Sequence, residues 1–173
     1  MIFVSVSDAK LKASPMAFDD KPPDEILNLL QTMKDVLTEY DGIGLAAQQV
    51  GLVKPIMVFG MPNTNGGYKL VGVVNPSIVE QGKTTSIREE GCLSFPGLYF
   101  PVVRPQRIVV EGWFDDKDAP SLIRRALFGM AARVFCHEYD HINGILFIDR
   151  ADPNTKIKIK PELQRIAKKR HNN

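Results

Sequence analysis

Apolar residues recur every three or four positions through residues 24–40. Ile26, Leu29, Leu30, Met33, Val36, Leu37 and Tyr40 share one face, a spacing that predicts an amphipathic helix. Pro22-Pro23 leads into it and Asp41-Gly42 closes it. The period then changes. Residues 55–59, 69–74, 77–80 and 107–114 form short runs rich in β-branched and aromatic side chains, which predict strands. Turn formers such as the Pro62-Asn63-Thr64-Asn65-Gly66-Gly67 cluster separate them. From Ser121 the helical period returns. Leu127, Met130, Val134, His137 and His141 step by three or four, so a second long helix is expected from Ser121, as N-cap, to about Ile142, with Asn143-Gly144 as its stop. Its inward face begins apolar and ends with two imidazoles. A terminal helix is expected over residues 161–170. Helix, strands, then helix predict an α+β fold, with small, mainly antiparallel sheets packed around the C-terminal helix and an N-terminal helix beside them. No internal repeat or low-complexity linker divides the chain, so residues 1–173 are expected to form a single domain.

A hydrophobic content of 44% with 24% charged residues is that of an ordinary globular protein, not of a disordered or fibrous one. No run of 18 apolar residues exists, which excludes a helical membrane span and a membrane partner from the expectation. Residues 1–10 show neither the basic-then-apolar order of a secretory signal nor the Arg/Ser bias of a transit peptide. Two cysteines are too few for a disulfide scaffold. A cytoplasmic enzyme is the resulting expectation. The net charge of +2 is unevenly spread. Residues 154–173 hold seven basic residues (Lys156, Lys158, Lys160, Arg165, Lys168, Lys169, Arg170) against Glu162, a balance of +6 that leaves −4 for the rest. This basic tail reads either as a solvated helix face or as a handle for a polyanion such as ribosomal RNA, giving weak ribosome contact; DNA is not expected as a partner. His171 reads as a solvated residue at the tail's end.

The chemistry concentrates in three segments. His137-Glu138-Tyr139-Asp140-His141 is an H-E-x-x-H match, and residues i and i+4 of a helix stand one above the other, so both imidazoles can reach one ion. Glu138 is turned about 100° from His137, close enough to touch a water on that ion without being a ligand. Metal-assisted hydrolysis needs this arrangement: the ion lowers the water's pKa toward about 7 and the carboxylate accepts its proton. By itself the motif also suits two histidines hydrogen-bonded in a core. A tetrahedral site usually takes three protein ligands. Downstream, Asp149, Asp152, Glu162 and His171 stand at unsuitable spacings. Upstream, Glu90-Gly91-Cys92-Leu93-Ser94 offers a thiolate, a good ligand for a borderline divalent ion, although a lone cysteine reads equally as a small buried hydrophobe. Cys136, next to His137, points about 100° off the two-histidine face and reads as core filler. The third segment, Gly42-Ile43-Gly44-Leu45-Ala46-Ala47-Gln48-Gln49, lacks the third glycine and preceding strand of a dinucleotide fingerprint, and alone is a helix end running into a strand.

Taken together and in this order, the three segments resemble the peptide deformylase family. The family's G-x-G-L-A-A-x-Q, E-G-C-L-S and H-E-x-D-H motifs match Gly42 to Gln49, Glu90 to Ser94 and His137 to His141, covering about 100 residues. The resemblance implies that Cys92, His137 and His141 bind one divalent metal ion. Ferrous iron is the family's usual ion, with nickel, cobalt or zinc as alternatives in purified protein. It implies removal of the N-formyl group from the formylmethionyl end of new polypeptides, with release of formate. Hydroxide would attack the formyl carbon, Glu138 would serve as general acid/base, and the Gln49 amide and Leu93 backbone N–H would stabilise the oxyanion. Backbone around Ile43, Gly44 and Gly91 would pair with the peptide in strand fashion, while Met130 and Val134 would line the methionine pocket. Glu90 would meet Arg104 as a structural pair.

The sequence departs from the family pattern in places. Gln48 fills a variable position, and Cys136 stands where Gln is frequent. Gly97-Leu98-Tyr99 replaces a stretch that often carries an arginine near the substrate's downstream residues. Arg133 stands one turn before His137, where an apolar pocket wall is usual; it either turns aside or narrows and polarises the pocket. Two other readings share the helix motif: a metallopeptidase of another kind, and an inactive deformylase-like binding protein, against which Gln49, Cys92 and Glu138 all speak.

Overall fold

The computed structural model describes residues 3–4, 7–19, 22–116 and 120–169. Helix α1, Asp24–Glu39, follows Pro23 at the N-cap and buries Ile26, Leu30, Met33, Val36 and Leu37 as one stripe. The strands are β1 (Gly44–Ala46), β2 (Ile56–Pro62), β3 (Tyr68–Gln81), β4 (Thr85–Cys92), β5 (Phe95–Pro105), β6 (Arg107–Phe114) and β7 (Ser121–Phe128). Helices α2, Gly129–Ile142, and α3, Pro153–Lys169, complete the order. Five strands form one sheet in the order β1-β2-β3-β6-β7, while β4 and β5 form a separate two-stranded hairpin. Every pairing is antiparallel. The α+β expectation therefore holds, with the helices on both faces of an antiparallel sheet.

Strand β2 is buried at five successive positions because both of its faces are covered. On one side Met57, Phe59, Val71, Val73, Val110 and Phe114 meet Ala132 and Phe135 of α2. The rings of Phe59 and Phe135 sit edge to face at 5.3 Å, each burying about 2 to 3 kcal/mol of apolar surface. On the other side α1 packs Leu30, Met33 and Leu37 against Ile56, Val58 and Val74. A third cluster joins the hairpin to α3 and to the short 3-10 turn Phe147–Arg150 before it, through Phe95, Phe100 and Val102 with Phe147, Ile159 and Ile166.

Three sequence expectations need correction. The predicted strands 69–74 and 77–80 are one strand, β3, whose pairing with β6 slips between Val74 and Ser77 and again between Ile78 and Glu80. Asn75, at φ 51°, sits in the first slip, which is why the sequence pattern breaks there. Next, residues 121–128 are not helical. They form β7, paired from Phe114↔Ser121 to Arg107↔Phe128, so Ser121 caps nothing. Gly129, at φ 56°, makes the sharp turn into α2 that a residue with a side chain would make only under strain. Leu127 still joins the same core as Val134, and that shared destination mimics helical spacing. Last, the terminal helix begins at Pro153 and not at Pro161. Asp152 accepts hydrogen bonds from Asn154 N and Thr155 N, a capping arrangement with Pro at the first helical position. Arg170 and His171 lie outside the described residues.

Candidate metal centre

Two structural bodies supply the centre. Helix α2 presents His137 and His141 one turn apart, their rings 5.2 Å centroid to centroid. The β4–β5 hairpin presents Cys92 at its tip, where the pairing slips between Gly91 and Cys92 and Cys92 then pairs with Phe95. One ligand atom from each of Cys92, His137 and His141 falls within 4.8 Å of the others. Cys92 Sγ lies 3.3 Å from His141 Nε2, about the separation of adjacent ligands on a tetrahedral ion, roughly 3.5 Å. Two imidazole nitrogens and one sulfur are a suitable donor set for a borderline divalent ion, so these residues fit a metal.

A buried ionic network surrounds the ligands. Glu90, two residues before Cys92, accepts from Arg104 through both of its oxygens, at 3.1 and 3.0 Å, and from Arg133. Its Oε2 also lies 3.0 Å from His137 Nδ1, which fixes that ring with Nε2 facing the ligand cluster. Arg104 reaches on to Asp140 of α2, which also meets Arg150. Burial alone would push the Glu90 carboxyl up, but hydrogen bonds from His137 and Arg104 outweigh it and hold the group down at about 2. Burial lowers His137, yet its bonds to Cys92 and Glu90 together hold it well above the ordinary histidine range. His141 is pushed well below that range by burial and by the neighbouring His137 charge. Removing Glu90 would leave two arginines buried without their shared counter-charge, a cost of roughly 3 to 5 kcal/mol.

Glu138 is 3% exposed, and its Oε2 has no hydrogen-bond partner among the described residues. Burial pushes its carboxyl up to about 7, against the opposing pull of His137, so the group can both accept and return a proton near neutrality. Gly44 makes room for it: a Cβ there would stand 2.2 Å from Glu138 Oε1 and 2.8 Å from Val134. The Gln49 amide is oriented by its own turn. Its Oε1 accepts from Ala46 N at 2.7 Å, which leaves Nε2 toward Cys92 Sγ at 3.4 Å and Ser94 Oγ at 3.3 Å.

Several of these groups border a cavity of about 650 Å³. Gln49, Cys92, Leu93, His137 and Glu138 line it, as do Ile43, Gly44, Gly91, Met130 and Val134, while His141 is fully buried and does not line it. Strand β1 lies at the edge of its sheet, and residues of both β1 and β4 line the cavity. Arg133 turns aside: its guanidinium is bound by Glu90, Val102 O and Ser86. Cys136 is buried in the core and both cysteines are free. Gln48, of little apparent consequence in the sequence, is fully buried and donates to Ala13 O and Ile142 O at 3.4 Å. Sequence reasoning missed Ser94, Asp140 and Arg150. Asp140 sits inside the histidine motif, and an acid on a buried helix face was the available signal.

A family model described as polypeptide deformylase matches residues 2–157. Among curated relatives, peptide deformylase of Thermotoga petrophila is 38% identical over 158 residues, covering 91% of this chain and 89% of the relative. Peptide deformylase 1B, chloroplastic, of rice (Oryza sativa subsp. japonica) is 40% identical over 147 residues, covering 84% of this chain and 53% of the relative. The chain thus spans about half the length of the plant relatives it matches. A crystal structure of Arabidopsis thaliana peptide deformylase 1B in complex with an inhibitor superposes with a TM-score of 0.86 at 37% identity, covering 98% of this chain and 91% of that one. A Plasmodium falciparum peptide deformylase superposes with a TM-score of 0.83 at 31% identity, covering 97% and 96%.

Proposed function

The chain belongs to the peptide deformylase family, and on that premise we propose that it is a metal-dependent hydrolase removing the formyl group from N-formylmethionyl peptides. The observation that carries the reading is the meeting of Cys92, His137 and His141 within 4.8 Å, beside a buried Glu138 and an amide already oriented by its own turn. Cys92, His137 and His141 would hold a divalent ion, which would supply an acidified water and Lewis acidity toward the formyl oxygen. We assign that ion as ferrous iron in the cell, with nickel, cobalt or zinc able to take its place in purified protein.

Everything else is the work of the chain. Glu138 takes the proton from the attacking water and gives it to the nitrogen of the leaving amine as the C–N bond breaks, so formate and a free amino terminus result. Gln49 Nε2 and the Leu93 backbone N–H donate to the oxygen on which charge develops. His137, Glu90 and Arg104 hold the ligand geometry. The peptide lies extended between β1 and β4, pairing with backbone at Ile43, Gly44 and Gly91, with its methionine side chain toward Met130 and Val134. Residues 1–173 act as one catalytic domain located in the cytoplasm. Among the described residues no helix is long and apolar enough to cross a membrane. The test is formate release from formyl-Met-Ala-Ser by anaerobically prepared protein, beside cleavage of an internal peptide bond. Formate release alone supports the reading, and internal cleavage alone overturns it.

A further inference from the structure

Arg133 carries a charge that the proposed chemistry does not use, yet it is only 4% exposed and stands one turn before His137. Its guanidinium works in three directions. Nη1 donates to Glu90 Oε1 and to Val102 O at 3.0 Å, while Nη2 donates to Ser86 O at 2.8 Å and Ser86 Oγ at 3.2 Å. Ser86 and Glu90 belong to β4 and Val102 to β5, so one side chain of α2 grips both strands of the hairpin. The hairpin shares no strand pairing with the five-stranded sheet. The distance between Cys92 on the hairpin and the imidazoles on α2 is therefore set by side chains that cross from one body to the other. Arg104 makes one such tie, from β5 to Asp140, His137 makes a second to Glu90 of β4, and Arg133 makes a third, from α2 to both strands of the hairpin.

We propose that Arg133 is a positioning residue that holds the hairpin bearing Cys92 against the helix bearing His137 and His141, and so sets the geometry of the ligand set. The inference rests on reading those three residues as ligands of one ion. A flat guanidinium with five fixed donors meets four acceptor atoms on three residues in different directions, which an ammonium on a flexible stem cannot do. Arg133 also borders the substrate cavity beside Met130 and Val134, with its charged end bound to the hairpin.

The experiment uses cobalt(II)-loaded protein, its visible spectrum, the rate of cobalt release to a chelator, and kcat and KM on formyl-Met-Ala-Ser. Arg133→Met keeps an unbranched apolar stem and removes the guanidinium. For folded Arg133→Met the expected results are a shifted sulfur-to-cobalt absorption band, cobalt release about tenfold faster and kcat about tenfold lower, with KM nearly unchanged. Arg133→Lys keeps the charge but not the three-way grip, and should recover only part of each effect. A folded Arg133→Met with the wild-type spectrum and release rate would overturn the proposal, whatever its melting temperature, because a brace of purely structural value moves only the latter. If Arg133→Met does not fold, Arg133→Lys is read by the same criteria. Wild-type protein that takes up no cobalt would instead overturn the metal reading itself, a result distinct from a silent Arg133.

Discussion

Cys92 and Cys136 show how much a single position decides. Cys136 precedes a candidate ligand in sequence, but it packs into the core and burial pushes its thiol up to about 11, away from the thiolate a metal needs. Cys92 is 44 residues further from the histidine motif and yet reaches within 3.3 Å of His141. Dialysed Cys92→Ser is therefore expected to lose most of its metal, since a hydroxyl is a poor substitute for a thiolate, while Cys136→Ser keeps its metal and loses only some packing. Metal content of the two variants checks this, and an empty Cys136→Ser would reassign the third ligand. At this scale the sequence was highly informative, because ligand chemistry is carried by residue type and motif spacing. It was silent on where Arg133 and Asp140 turn, since Arg133 finds Glu90 43 residues upstream and Asp140 finds Arg104 36 residues upstream. Local periodicity carries no trace of such pairs.

At the scale of elements, α2 brings Met130 and Val134 to the cavity and His137 and His141 to the cluster with Cys92. Burying a methionine side chain there contributes roughly 2 kcal/mol, so kcat/KM for formyl-Met peptides should exceed that for formyl-Ala peptides by about 30-fold. Steady-state assays of the two substrates test this, and equal values would remove Met130 and Val134 from the pocket. The helix was legible from its period but its start was not. Residues on β7 and α2 feed the same core, and Gly129 was the single sign that the chain turns between them. Strands β4 and β5 were not assigned as strands, because β4 is mostly polar and β5 is broken by Pro96, Gly97, Pro101 and Pro105, residues that ordinarily mark turns.

For the molecule as a whole, the layers meet where chemistry is proposed: α1 behind the sheet, α2 in front, and the hairpin with α3 closing the third cluster. The basic tail belongs partly to that last cluster, since α3 buries Ile159 and Ile166 while Lys156, Lys158, Lys160 and Lys168 stay exposed. Deleting it would therefore damage the core, and charge is better removed in place. Lys156, Lys160 and Lys168 changed together to Gln should leave turnover of a short peptide unchanged and reduce ribosome co-sedimentation, with the difference vanishing at high salt. Unaltered co-sedimentation at low salt would reduce the basic face to a solvated surface. The central claim is that one metal site and one carboxylate perform the hydrolysis. Its most direct test measures bound metal and formate release from formyl-Met-Ala-Ser on the same samples of wild-type and Glu138→Ala protein. Equal metal in both, with turnover at least about 100-fold lower in the variant, is the expected result. Near-normal turnover by fully metallated Glu138→Ala would contradict it.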